Sequence, residues 1–290
     1  MKIFNVAAIV FLAGTGLVAQ SISERFQTLQ PELDRLFASQ QYKEVIDRIE
    51  TVIPSATPAF NKDDENLNIG MASFSDFEAL QSLHVYLGRA CVMYGHLEKA
   101  IINFREAEEI AKLNASEVDD VFGPIIDNWN IALEESKKAL ESLETITKQK
   151  ADIEAKGKKQ TKQDKQVLAR IKEGEPFLKE NVPIWQANLE RAPAIVEQLG
   201  QIISRTKADI TKFAPVVAAL EEDIRTEAEM IETRFSGDKT KYVESVIGTE
   251  ENISNLAGRE DKIKFLNRLM FLDPQNTMVR EQLDLLLGKS

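Results

Sequence analysis

Apolar residues along this chain recur mainly at steps of three and four, the period of an α-helix. Ser21 and Glu24 have the spacing of a capping box, which opens a first helix with Leu33, Leu36 and Phe37 on its apolar face and Pro31 able to restart it. A second run, Tyr42 to Ile53, carries Val45, Ile46, Ile49, Val52 and Ile53 and is expected to stop at Pro54. The segment PSATPAFNKDDENLNIGMAS that follows is the longest break in the first half. Ser75 and Glu78 repeat the capping-box spacing and open a helix to about Tyr94. Gly95 then turns the chain, and His96 to Leu113 forms a partner helix with Ala100, Phe104, Ala107 and Ala111 on one face.

The middle of the chain has a different pattern. Phe122, Ile126, Trp129, Leu133, Leu140 and Leu143 alternate steps of four and three, with Ser136 in the one gap, and this is a heptad seam. A second stripe runs through Ile195, Leu199, Ile202, Ile210, Phe213, Val217, Leu220, Ile224 and Ile231. Two long helices with a connection between them predict an antiparallel hairpin, which buries both stripes without another chain. Pro183, Pro193 and Pro215 predict a broken or kinked return arm. The connection is the strongly basic part. Lys148 to Lys172 holds nine Lys/Arg against three Asp/Glu, an excess of six, which leaves −17 for the rest of a chain whose net charge is −11.

Leu87, Gly88, Gly95, Ala100, Phe104 and Ala107 give the helix pair around Gly95 its character. This pair resembles a tetratricopeptide repeat, with Leu-Gly in the first helix and Ala-x-x-x-Phe in the second. His84 stands where that pattern has Trp, Cys91 where it has Tyr, and no proline closes the second helix near Lys112. Gly258 to Asn276, with Phe265, Leu269 and Asp273-Pro274, resembles the second half of such a repeat, and Thr277 to Leu287 would cap it. Arg35 to Pro54 is a fainter third candidate. The resemblance implies a concave partner-binding groove lined by the first helix of the repeat, here Ser82, Val85, Arg89 and Val92. Val85 and Arg89 do not reproduce the Lys and Asn set with which some repeats grip a terminal carboxylate.

The expected architecture is therefore all-α, a helical-repeat platform with a long central hairpin. Residues 21–116 form the repeats, 117–236 the hairpin with its basic tip at 148–172, and 237–290 a C-terminal half repeat and cap. Residues 1–20 differ in kind. Lys2, the almost uncharged run Ile3 to Leu17 and the exit Val18-Ala19-Gln20 have the shape of a secretory signal peptide cut near Ala19.

Composition narrows the chemistry. With 43% hydrophobic and 29% charged residues the chain is built to fold, and 13 Gly and 9 Pro favour long helices. The net charge makes nucleic acid a poor partner. One cysteine, Cys91, allows no internal disulfide and is expected to pack as a small hydrophobe. His84 and His96 are the only histidines and have no ligand spacing with Cys91, so neither a metal site nor a cofactor is expected. Phosphate-loop, nucleophile-elbow and dinucleotide motifs are missing. The acids of Glu221 to Glu232 alternate with Ile224 and Ile231 and are expected on a solvated face, and those of Lys62 to Asn66 in a solvated loop. Trp129 is expected in the seam, and Trp185 is the better candidate for an exposed aromatic. Lys156, Lys158, Lys159 and Lys162 are the candidate contacts to an anionic surface, lipid or envelope polymer. The expected function is an exported, non-enzymatic scaffold of the bacterial envelope that binds another envelope protein. The second reading is an envelope spacer whose basic tip touches an anionic surface.

Overall fold

The structure, a computed structural model, describes residues 21–56, 74–248, 256 and 258–288. The leader-like segment and the Lys62 to Asn66 acids lie outside the described residues. Among the described residues the fold is all-α: α1 (Ile22–Ala38), α2 (Tyr42–Ala56), α3 (Phe74–Met93), α4 (Leu97–Ala155), α5 (Lys162–Ile210), α6 (Ala214–Phe235), α7 (Lys239–Ile247), α8 (Arg259–Leu272) and α9 (Thr277–Leu287), with a 3₁₀ turn at Gly157–Lys159.

α1 begins as its capping box dictates, Ser21 Oγ accepting from the Glu24 amide at 3.1 Å, and it runs through Pro31 unbroken. α2 passes Pro54 and reaches Ala56. α3 starts no later than Phe74, so Ser75 lies inside the helix and is not its cap. Leu33, Val45, Ile49, Leu83, Leu87 and Ala90 are almost fully buried and form the heart of the core shared by α1 to α4. Gly88 is required where it stands, because a Cβ there would lie 2.9 Å from the Phe104 ring.

The largest departure from the sequence expectation is α4. It does not end near Leu113 but continues for 59 residues, about 88 Å at 1.5 Å per residue. The boundary expected at residue 116 therefore falls inside a continuous helix. α5 runs antiparallel beside it, with Lys207 bonded to Asp119 at 3.0 Å, Asn188 to Ser136 at 3.0 Å and Lys150 to Glu175 at 2.8 Å. α3 reaches along α4 as far as Phe122, whose ring lies 5.6 Å from that of Phe74. Beyond that shoulder the α4–α5 pair projects as an arm of about 50 Å.

The return helix corrects three expectations. Pro183 and Pro193 lie within a continuous α5, as does Pro176, and the break expected in the return arm falls at Thr211–Phe213, just before Pro215 in the first turn of α6. The stripe passes through half-buried Ile203 and not through Ile202, which is 41% exposed. Ile195, Leu199 and Ile203 take two steps of four in succession, which carries the seam one residue further on. Trp185 is half-buried on the seam, edge-on to Phe177 at 6.1 Å, and not an exposed aromatic.

After the break the chain returns to the body. Phe213 stacks on Phe104 with ring centroids 6.5 Å apart, and Val217 and Leu220 join the α1–α4 core. α6 thus continues along α4, Glu221 pairing with Arg105, and belongs to the body and not to the arm. Ser236 and Gly237, both with positive φ, turn the chain into α7, a helix absent from the sequence expectation that Asp238 caps. α7, α8 and α9 form a second core with Ile231 of α6, around Val243, Leu266, Leu269 and Val279.

Arg268 joins the two cores. Its guanidinium bonds Glu227 of α6 at 2.6 Å, Glu98 of α4 at 3.0 Å and the Gly95 carbonyl at 2.9 Å, and it lies 5.0 Å from the Phe271 ring centroid. Asn267 Nδ2 donates to the Met93 carbonyl at 2.6 Å, and a Cβ on Gly95 would meet the Asn267 carbonyl oxygen at 2.5 Å. Arg268 and Glu227 side chains are only 10% and 14% exposed, so removing one leaves the other charge buried and unpaired. Arg268→Met is expected to lower stability by about 3–5 kcal/mol, read as a drop in the urea midpoint, and to expose α7–α9 to protease. Adding Glu227→Leu is expected to restore part of the loss. A change below about 1 kcal/mol for the single variant would show that the hub does not hold the cores together.

Candidate functional site

A cleft of about 600 Å³ opens where α1, α2, α3, α6 and α8 converge. Its lining is mostly apolar, from Phe37, Tyr42, Val92, Met93, Val216 and Ala219, and four charged side chains reach it: Arg89, Asp223, Glu260 and Lys264. A neighbouring hollow of about 300 Å³ shares Val92, Asp223 and Lys264 and extends toward Phe265 and Arg268.

Each wall has a sequence origin. α3 alternates a buried face, Leu83, Leu87 and Ala90, with the positions Arg89 and Val92 that look into the cleft. Phe37, at the end of α1, packs edge-on against Tyr42 at 5.5 Å and Tyr86 at 5.9 Å. The Arg89 guanidinium lies over the Phe37 ring, 5.4 Å from its centroid, a cation–π placement that holds a charge above an apolar floor. Burial, and then the Glu260 carboxylate, push the Tyr42 hydroxyl above its usual range.

Of the four groove residues expected from the sequence, the structure brings Arg89 and Val92 to this cleft and leaves Ser82 and Val85 out of its lining. Val85 packs instead against the main core. The far wall and the charged rim come from α6 and α8, more than a hundred residues further along the chain. Their only local signal is charge next to an amphipathic face.

The arm ends in an ordered turn. Thr161 and Asp164 form a capping box at the start of α5, Gly157 takes a positive φ, and Gln160 donates to the Ile153 carbonyl at 3.1 Å. Lys156 Nζ bonds Asp164 at 2.8 Å, so of the four expected surface contacts Lys156 is committed to the turn. Lys158, Lys159 and Lys162 are exposed at the tip.

The residues set aside as chemistry pack as follows. Cys91 is wholly buried, and burial pushes its thiol up to about 12. His84 Nδ1 lies 3.0 Å from Asn103 Oδ1, and the His96 ring sits between Tyr94 and Phe271 at 4.9 and 4.7 Å. Within Glu221 to Glu232, Glu222 and Glu229 pair with Arg225, and Glu227 with Arg268. Among the described residues no three His, Cys, Asp or Glu are grouped to hold a metal, and no helix is long and apolar enough to cross a membrane. Comparison with protein-family models, curated proteins and solved structures gives no match.

The hydrogen bond from Lys156, with those of the capping box, holds the Asp164 carboxyl down to about 2. A depressed carboxyl contributes stability that is complete above its ordinary value of 3.8 and is lost as the pH falls through about 2. Amide exchange at Gln160 to Val167, taken relative to the intrinsic rate at each pH, is therefore expected to accelerate over that window, ahead of exchange in the α1–α4 core. Asp164→Asn is expected to give the same local acceleration at neutral pH. Unchanged exchange in the variant would show that the turn does not depend on this carboxylate.

Proposed function

We propose that this chain is an exported, non-enzymatic scaffold that binds another protein of the bacterial envelope, with its first four helices acting as a tetratricopeptide-like platform. The observation that carries this reading is the cleft. Its volume is in the range of ordinary ligand sites, its floor is apolar, and its few charged groups include both signs. Such a site suits a partner segment that inserts a bulky apolar side chain and sets polar groups against the rim. The close approach of α3 and α4 at Gly88 and Phe104, and the tight turn at Gly95, support the resemblance to a repeat. The leader-like first twenty residues support export.

A second reading has its own observation. The arm carries Lys158, Lys159 and Lys162 exposed at its tip, about 50 Å from the shoulder. In that reading the chain is an envelope spacer, and the tip contacts an anionic lipid or polymer surface.

Variants separate the two. Crosslinked capture from the organism's own envelope is compared for the unaltered chain, for Arg89→Glu and Val216→Glu in the cleft, and for the triple change of Lys158, Lys159 and Lys162 to Gln. The scaffold reading expects one stoichiometric protein, retained at high salt, whose capture falls at least tenfold in both cleft variants and is unchanged in the tip variant. Loss confined to the tip variant, with binding that fades as salt rises, would replace the scaffold by the spacer. Capture that none of the variants alters would overturn both.

A further inference from the structure

A column of small and apolar side chains follows α4 beside the seam. Phe104, Ala111 and Val118 occupy every seventh position at 5%, 1% and 1% exposure, on the stretch of α4 that packs against α3. The same column runs on past the shoulder as Ile125, Ala132, Ala139 and Ile146. There Ile125 is 39% exposed and the other three are half-buried. On α5, Phe177 and Ile184 are 55% and 52% exposed and again stand seven apart. Ile125, Ala132 and Ala139 directly precede seam residues Ile126, Leu133 and Leu140, and Phe177 and Ile184 directly precede Leu178 and Trp185. In an antiparallel pair, the positions that precede such seam residues on the two helices share one face.

A two-helix seam needs two apolar positions per heptad, whereas a helix in a larger bundle shows three. The arm has three. Its face is a continuation of the α3–α4 interface, covered at the body and, among the described residues, open beyond Phe122.

We propose that a second copy of this chain covers this face, packing antiparallel to form a four-helix bundle of two arms. Charge selects the direction. A parallel pair would set two tips side by side, each with an excess of six positive charges over residues 148–172. An antiparallel pair places each tip level with acidic groups of the partner's mid-arm.

Register closes the argument. Ser136–Asn188 and Lys150–Glu175 fix which residues of α4 and α5 stand level. A twofold axis crossing the arm near Leu143 then sets Phe177 of one copy against Ile184 of the other, and Ala139 against Ile146, within the same superposition. The same axis brings Lys158 and Lys159 level with Asp127 and Glu197 of the partner, and it stops short of the α3 shoulder. An overlap of roughly 45 Å on a face about 20 Å wide covers on the order of 900 Å² per copy, the size of a stable protein interface.

Sedimentation equilibrium of the purified chain tests this. The expected mass is twice 32.6 kDa. Phe177→Asp with Ile184→Asp is expected to raise the dissociation constant at least a hundredfold, with helix content by circular dichroism unchanged because both side chains are mostly exposed. Ala139→Glu, on the other helix, is expected to weaken the dimer at least tenfold. Chains carrying Phe177→Cys and Ile184→Cys, mixed and treated with a short bis-maleimide, are expected to link 177 to 184 between copies, and the buried Cys91 stays out of the reaction. A monomer at every concentration, or a dimer that persists in all these variants, would overturn the proposal. Links of 177 to 177 and 184 to 184 would overturn the antiparallel arrangement.

Discussion

Asn188 reaches across the arm to Ser136, a fully buried polar position in a mostly apolar seam. Sliding α5 by one heptad along α4 sets Asn188 against Trp129 or Leu143, at a cost of about 1–3 kcal/mol for the unpaired amide, although in one direction Asn181 arrives opposite Ser136. The pair therefore adds little net attraction but disfavours the neighbouring registers, the same use to which a single buried Asn is put in coiled coils. What it fixes extends beyond the arm. With α5 held in that register, the break at Thr211–Phe213 arrives beside Phe104, and α6 is laid along the base of α4 where Glu221 meets Arg105. One wall of the cleft is thus positioned by a hydrogen bond made far out along the arm.

The Arg268 hub does the corresponding work for the other wall. Burial of an ion pair costs desolvation that its Coulomb attraction barely repays, so this one is better read as a device for orientation than as a source of stability. Arg268 has several acceptors on three different segments, and only one placement of α8 satisfies them together. That placement carries Glu260 and Lys264 to the rim of the cleft. Glu98 shows the balance within the hub. Burial raises its carboxyl, but the bonds from Arg268 and the backbone outweigh that, and the net shift is downward.

Some local signals in the sequence are legible because the partner groups are near in the chain. The Ser21–Glu24 box and the turn at Gly95 are decided within one or two helical turns, whereas the same spacing at Ser75 and Glu78 falls inside a helix that already includes Phe74. The misreadings share a cause. Proline reads as a stop, yet Pro183 and Pro193 face solvent, where water can meet the carbonyl that each leaves free. The end of α4 was placed near Leu113 because the repeat pattern ends there, although nothing in residues 113–122 breaks a helix. The cleft was half legible. Arg89 and Val92 followed from the face of α3, but Asp223, Glu260 and Lys264 depend on contacts such as Arg268 to Glu98, which are 170 residues apart and leave no periodic trace.

Several irregularities of the two long helices fall at one level. Gly123 and Pro124 lie within α4 at the shoulder, where α3 ends its cover. Opposite them on α5 are Gly200, the double step from Leu199 to Ile203, and Thr206, whose hydroxyl bonds back to the Ile202 and Ile203 carbonyls at 3.2 and 3.0 Å. Glycine–proline pairs, stutters and back-bonding hydroxyls each loosen or bend a helix, and placed level they do so in both helices together. Outward from there the seam is locked at Ser136, while α5 carries Pro176, Pro183 and Pro193, each of which leaves a carbonyl without its helical donor. The shoulder is thus a place where both helices loosen at once, and a bend there shifts the tip relative to the cleft.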